Sequence, residues 1–435
     1  MGSIYLNAVV TIAAANAKGG DEGCFSTRNA WANRPCKLNI DFPNGRSVYA
    51  STTRSPRAVG PLYDRAWVYQ EEVLSQRYIA FGDDTILWAC PSKVATENLP
   101  QGARGGGTLS THRRYLGEQI KGWSPTSRAS IGSSTSVYDL AEDADEVNET
   151  LELVDEESRD EIMGLDEDYE ESGSDDENIY DMWNEAVQEY NRGSLTVPTD
   201  RLPAISALAA ALQPHLDEDL YLAGLWHNDL HRGLLWGVHS EATNQPGSAA
   251  YRQHPPSLYV APSWSWASLF GVFTSYDWVK QMTRPNDWVP VMEILSAGRS
   301  LRGANQYGEI GAAMLKLEGK IAEVYAQDMR PFRVEARTKF FHNRSFREDE
   351  ANSISVYNLD LNGGPASGSL FAFGVLSFDE AQDEYEEYIS GVLCLIIAPT
   401  GRQIKSVDEY TRIGVARLTC AHFQKHAISK TLFLV

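Results

Sequence analysis

A mixed α+β architecture with a helical middle layer, a C-terminal antiparallel β block and one long disordered acidic insertion is predicted by three features of these 435 residues. Apolar residues recur at helical spacing between about 179 and 236, and after Pro262 the pattern changes to short β-like runs separated by Gly, Pro, Asn and Asp. A tract without apolar periodicity interrupts the chain from about residue 101 to 178. Length suggests two to three folded domains, and the composition shifts divide the chain at 1–100, 101–178, 179–289 and 290–435.

In the first region, DRAWVYQEEVLSQR (Asp64 to Arg77) sets Trp67, Val68, Val73 and Leu74 on one helical face, with Asp64 as a candidate N-cap. RYIAFGDDTILWAC then reads as two short strands around the turn-rich Gly82-Asp83-Asp84, so a helix followed by a hairpin is expected. Order resumes at IYDMWNEAVQEYNR, where Met182, Trp183, Ala186, Val187 and Tyr190 keep helical spacing. DRLPAISALAAAL places Asp200 as a cap and Pro203 in a first turn. DLYLAGLW and DLHRGLLWG are expected as two further short helices. The block from about 290 to 435 contains MLKLEGKIAEVYA, SLFAFGVLSF, YISGVLCLIIA, RIGVARL and KTLFLV, and is expected to form an antiparallel sheet or small sandwich.

The formal charge of −21 belongs almost wholly to one stretch, because Asp139 to Glu177 holds twenty acidic residues against the single basic Arg159. Such a segment buries too little apolar surface to offset a backbone entropy of about 1–2 kcal/mol per residue, which is why disorder is expected there. The remaining residues are nearly neutral. Nucleic-acid binding needs a basic face to neutralise phosphates, so no nucleic-acid partner is expected. The five cysteines (Cys24, Cys36, Cys90, Cys394, Cys420) are scattered, with no C-x-x-C, and read as reduced thiols. The opening MGSIYLNAVVTIAAANA has an apolar run but no basic start, and Asn7 interrupts it, which argues against a signal peptide. No stretch approaches a membrane span, and a cytoplasmic location is expected.

Several strings, in order, resemble heterokaryon-incompatibility (HET) domain proteins of filamentous fungi. IYLNAVVTIAA (Ile4 to Ala14) is similar to that family's IY-x-NA-x-x-TIAA, and Gly23-Cys24-Phe25 to the G-x-F that follows it. Asp64 to Cys90 resembles RAW-x-x-QE-x-x-LS-x-R with its hairpin and closing W-E-C, except that Ala89 stands in the Glu position. DRLPAISALA, LAGLWHNDLHRGLLW and APSWSWAS (Ala261 to Ser268) resemble the downstream segments. The family's opening SY-x-WG and WID-x-x-CI-x-Q strings appear nowhere in the sequence. The resemblance therefore implies a truncated TIR-like α/β HET region, arising from an internal start or a real truncation. It further implies a self/non-self recognition protein associated with cell death, acting on a protein partner that is non-self or a related HET protein. The alternatives are an NAD-cleaving or other hydrolase working through a complete domain, or a regulatory decoy that binds a full-length relative.

No catalytic or cofactor-binding residue is assigned, no cofactor is expected, and no NAD hydrolysis is expected of the chain as it stands. Glu71 and Glu72 are the best acids within a family string, and either could orient a ribose or move a proton. The favoured reading is that Gln70 and Glu71 hold helix ends or bridge to Arg65 and Arg77. His227 and His231 repeat the i, i+4 spacing of zinc ligands, as do His422 and His426, but Asn228 and Phe423 occupy the positions where the base of H-E-x-x-H would stand. They read as helix-surface histidines, so no metal site is expected. Trp264 and Trp266, two apart and on one side of a strand, invite ligand stacking, though buried indoles more often anchor layers. Asp64, Arg65, Asp200 and Arg201 are expected at helix starts, tying caps together, with Trp67 beside them as a structural anchor.

Overall fold

A computed structural model of the chain describes residues 1–25, 36–38, 48–50, 60–83, 85–90, 93–97, 100, 179–238, 252–253, 258–270, 274–275, 288–324, 329–331, 354–359, 369–379 and 390–435. The acidic tract, the Gly105-Gly106-Gly107 run and Asp84 of the hairpin centre lie outside the described residues.

The chain starts with helix α1 (Gly2–Asn7) and strand β1 (Thr11–Ala13). Helix α2 (Ala66–Leu74) leads into strands β2 (Tyr78–Phe81), β3 (Ile86–Cys90) and β4 (Lys93–Thr96). The four strands form a mixed sheet in the order β1-β2-β3-β4, with β1 parallel to β2 and the other pairs antiparallel. The helix-then-hairpin pattern is present, with Tyr78 opposite Ala89 and Phe81 opposite Ile86. Ala13, Tyr78, Ala80, Leu87 and Val94 bury one side of this sheet, with Ala89 packed against them. Ile4, Val9, Ile12 and Phe25 leave large apolar side chains exposed.

Helix α3 (Ile179–Tyr190) buries Met182, Trp183, Ala186, Val187 and Tyr190, the stripe that its 3.6-residue spacing prescribes. Two 3-10 turns, Pro198–Arg201 and Pro203–Ile205, then precede helix α4 (Ser206–Leu212). Asp64 and Asp200 therefore do not cap the helices expected of them. Asp64 ends a 3-10 turn before α2, Asp200 lies within one, and neither α2 nor α4 has a side-chain cap from its N-cap residue. Proline is the physical reason at the second site, because Pro198 and Pro203 suit the first positions of short turns and break any continuous helix from Asp200.

DLYLAGLW is a tight antiparallel hairpin, Tyr221–Leu222 with Leu225–Trp226, and not a helix. Its turn residues Ala223 and Gly224 both have positive φ, 49° and 97°, the geometry of a hairpin turn. Only one helical turn, α5 (Leu230–Gly233), follows from DLHRGLLWG. His227 belongs to the preceding 3-10 turn, and His231 turns its Nε2 to the Met292 carbonyl at 3.3 Å, so the two do not share a helix face. Trp264 and Trp266 are not on a strand either, since Trp266 opens the 3-10 turn Trp266–Ser268.

The C-terminal block contains β5 (Trp288–Pro290), β6 (Met292–Leu301), β7 (Ile310–Val324), β8 (Met329–Pro331) and β9 (Ile354–Leu359). It continues through β10 (Leu370–Asp379), β11 (Ser390–Ile404), β12 (Val407–Thr419), helix α6 (Cys420–His426) and β13 (Ile428–Leu434). It is largely antiparallel, as expected, but its pairings do more than lay strands side by side. β7 pairs with β10, β10 with β11, β11 with β12, β12 with β13, and β13 returns to β7, so five strands close a ring. Of these five pairings only β12–β13 is parallel, and a parallel neighbour needs a crossover, which α6 provides. Each of these five strands thus has a neighbour on both sides, with β12 and β13 meeting over two residue pairs, Glu409–Phe433 and Tyr410–Leu434. Along β11 the alternation of side chains divides two cores. Leu393, Leu395 and Ile397 join the central core, while Val392, Cys394 and Ile396 pack in a second cluster with Phe423 of α6. The central core is continuous from Ala66 through the helical layer to Leu434.

Candidate functional site

Helix α3, the 221–226 hairpin and the segment 264–267 converge on one buried node. At its centre is the Ala223-Gly224 turn, whose Gly224 carbonyl accepts two indole N–H bonds, from Trp183 and from Trp266, each at 2.9 Å. The Ala223 carbonyl accepts the Ser265 hydroxyl at 2.5 Å, and the same hydroxyl oxygen accepts the Ala267 amide at 3.0 Å. A Cβ on Gly224 would lie 2.7 Å from Trp266 Nε1, so the turn needs glycine both for its φ and for this close approach. The ring of Trp183 stands edge-on to Tyr221 and Trp226, and that of Trp266 to Tyr190. Trp264 and Trp266 are both 0% exposed, which leaves no indole face free for a stacked ligand.

Arg201 completes the node from below. It is buried, and its guanidinium stands 5.5 Å from the Trp266 ring centroid and donates to Asn191 Oδ1 at 2.9 Å. Its main-chain carbonyl accepts the Tyr190 hydroxyl at 2.7 Å. Burial lowers its pKa to about 10, which still leaves it charged at neutral pH. A second buried arginine, Arg412 of β12, sits 3.6 Å from the centroid of Trp236 and donates to the Trp236 carbonyl. Trp236 in turn donates from Nε1 to the Trp264 carbonyl at 2.9 Å, so the ring of strands and the helical layer meet through stacked indole and guanidinium planes.

Residues of α2 tie the N-terminal region to this layer. Trp67, half-buried, donates from Nε1 to Asp200 Oδ2 at 3.3 Å. Gln70 is buried, and its Oε1 accepts the Ala207 amide at 2.8 Å, satisfying one of the free N–H groups at the start of α4. The main chain of Asp64, Arg65 and Ala66 pairs with Ser194: the Ser194 amide donates to the Asp64 carbonyl at 2.6 Å, and the Ala66 amide to the Ser194 carbonyl at 3.0 Å. Gly193 allows that approach, because a Cβ there would lie 2.5 Å from the Ala66 Cα. Replacing Gln70 with leucine removes the acceptor while keeping the volume. It is expected to cost about 1–2 kcal/mol by leaving the Ala207 N–H without a partner; chemical denaturation of the two proteins measures this, and equal midpoints would refute it.

Glu71 meets Tyr5 of α1. Burial first, and then the hydrogen bond to the Glu71 carboxylate and its charge, push the Tyr5 phenol up to about 12. Ser75, at the end of α2, donates to the Glu71 carbonyl at 2.6 Å and lies 2.7 Å from the Thr11 hydroxyl at the start of β1. Glu71 thus serves the α1–α2 contact near the amino end of the parallel pair, whereas ligands of open α/β sheets gather at carboxyl ends. At the carboxyl ends of β1 and β2 the structure instead brings together Asn16 and Asp83, Nδ2 to Oδ1 at 3.2 Å. Sequence reasoning gave Asp83 only a turn role and passed over Asn16, although they lie two and three residues past the ends of their strands. It also passed over Gly193, Gly224 and Arg412; the last was visible as one of two arginines, with Arg417, bounding the apolar run of RIGVARL.

Among the described residues no group of three His, Cys, Asp or Glu is placed to hold a metal, and no helix is long and apolar enough to cross a membrane. Residues 1–71 match the family described as heterokaryon incompatibility protein (HET), which identifies this part of the chain as a HET-domain segment. The matched stretch ends at Glu71 and so includes Tyr5, Trp67 and Gln70. Comparison with curated proteins and with solved structures finds no match.

Proposed function

We propose that the chain works as a heterokaryon-incompatibility factor of a filamentous fungus, recognising a non-self or related HET protein after cell fusion and contributing to growth arrest or death. The observation that carries this reading is the HET-domain match over residues 1–71. The manner in which α2 of that segment docks supports it. Trp67, Gln70 and the Asp64–Ala66 main chain are each bonded to the helical layer, so a disturbance of the HET segment has a direct route into the rest of the chain. Protein contact as the mode of action is supported by Ile4, Val9, Ile12 and Phe25, which lie inside the matched segment and hold their apolar side chains in solvent.

Inducible expression of the whole chain in a filamentous fungus, followed by confrontation with a panel of tester strains, tests the reading. Loss of viability confined to fusion with some testers is the expected result. Normal growth and normal fusion with every tester, at confirmed protein levels, would remove the basis for it.

A further inference from the structure

The first turns of α3 present polar side chains to the segment 219–233. Asp181 Oδ1 accepts from Arg232 Nη1 at 2.8 Å, and Arg232 Nε donates to Asp229 Oδ1 at 2.6 Å. Asn184 Nδ2 reaches Asp229 Oδ2 at 3.5 Å. Beside this group, the Asp219 carboxylate accepts the Asn228 amide at 3.1 Å and the Tyr180 hydroxyl at 3.0 Å. Two carboxylates, Asp181 and Asp229, therefore share one guanidinium, and Arg232 Nη2 is buried without a hydrogen-bond partner among the described residues. Asp219 has its own pair of donors. Asp229 is buried and, among the described residues, shares with Asp181 the one cation it is paired with.

We propose that this cluster is a proton-operated clasp: a proton taken up at Asp229 tightens the hold of α3 on the 219–233 segment, and its release loosens it. With Asp181 and Asp229 both ionised around the single guanidinium the cluster carries one negative charge in excess, and like charges at close range in a poorly solvated site favour protonation of one of them. Protonating Asp229 leaves Arg232 and Asp181 as a one-to-one pair, while the neutral carboxyl still accepts from Arg232 Nε. The direction of the shift agrees. Burial raises the Asp229 pKa to about 6, with Asp181 adding to the rise and Arg232 and Asn184 opposing it. The folded state then binds a proton that the unfolded chain has released, so stability falls as pH rises from the ordinary aspartate range of about 4 through 6. The other titratable groups facing the site among the described residues are Tyr180 on α3 and His227 and His231 on the opposing turn; burial pushes His231 toward its neutral form.

Hydrogen exchange of the peptide covering α3, with the intrinsic pH dependence divided out, reads the clasp in the full chain. Protection is expected to fall about tenfold between pH 5 and pH 7.5 in the native protein, the change that one pKa unit of difference supplies, and to stay level in Asp229→Asn. A fall of equal size in both proteins overturns the proposal. Asp181→Asn, at a partly exposed position, covers the case in which Asp229→Asn does not fold. Removing that like charge is expected to move the fall to lower pH, and an unmoved profile also overturns it.

Discussion

Trp266→Ala is expected to lower stability by about 3–5 kcal/mol, the range for truncating a large buried aromatic. Three losses combine at this residue. The indole is fully enclosed, its N–H is one of two donors on the Gly224 carbonyl, and its ring covers both Tyr190 and the Arg201 guanidinium. Alanine would leave Arg201 facing a void, and a buried charge that loses its neighbour is among the costlier defects. Trp266→Phe separates the contributions in part, since it keeps an aromatic ring while removing the N–H and some ring volume; a smaller cost of about 1–2 kcal/mol is expected because Trp183 still bonds Gly224. Urea unfolding followed by circular dichroism measures both variants. An alanine variant with an unchanged midpoint would mean that the node is not what holds the layers together.

Gly193→Ala is the second change with a large expected effect, although it adds a single methyl group. The new Cβ would stand 2.5 Å from Ala66 Cα and 2.6 Å from its nitrogen, and main-chain atoms cannot rotate away as a side chain can. The Asp64–Ala66 main chain must separate from Ser194, which gives up the 2.6 Å and 3.0 Å hydrogen bonds on either side. Overpacking of this kind costs about 1–3 kcal/mol, and the two lost bonds bring the expected total to about 3 kcal/mol or more. Because the damage lies where the HET segment meets α3, the variant is also expected to lose any incompatibility phenotype at a temperature where the strand ring remains folded. Retained protection of β11 and β12 alongside lost protection of α2 in hydrogen exchange is the expected pattern. Uniform loss would show that the segment and the ring unfold as one.

Local pattern made much of this architecture readable. The stripe from Met182 to Tyr190 announced α3 because one face of a helix repeats every 3.6 residues, and Gly82-Asp83 announced a hairpin because turns draw on residues that tolerate unusual φ. The match over residues 1–71 likewise depends on residue order alone. Where the reading of LAGLW as helix failed, the competing principle was turn chemistry: five apolar-rich residues fit either element, and the pair Ala223-Gly224 was the signal for a turn.

Residue types and spacings thus carried the existence of α2, α3 and α4, the β character after Pro262, the neutrality of the chain outside the acidic tract, and the HET-like strings. Tertiary packing settled what those elements do for each other, because partners distant in sequence leave no periodic trace. Nothing local to Trp266 or Trp183 says that both donate to Gly224, some 40 positions from each, and nothing local to β13 says that it closes a ring with β7. A cap expected at Asp64 or Asp200 became a 3-10 turn, and the amide at the start of α4 found Gln70, 137 residues away, because proximity in space and not in sequence decides which buried N–H meets which acceptor.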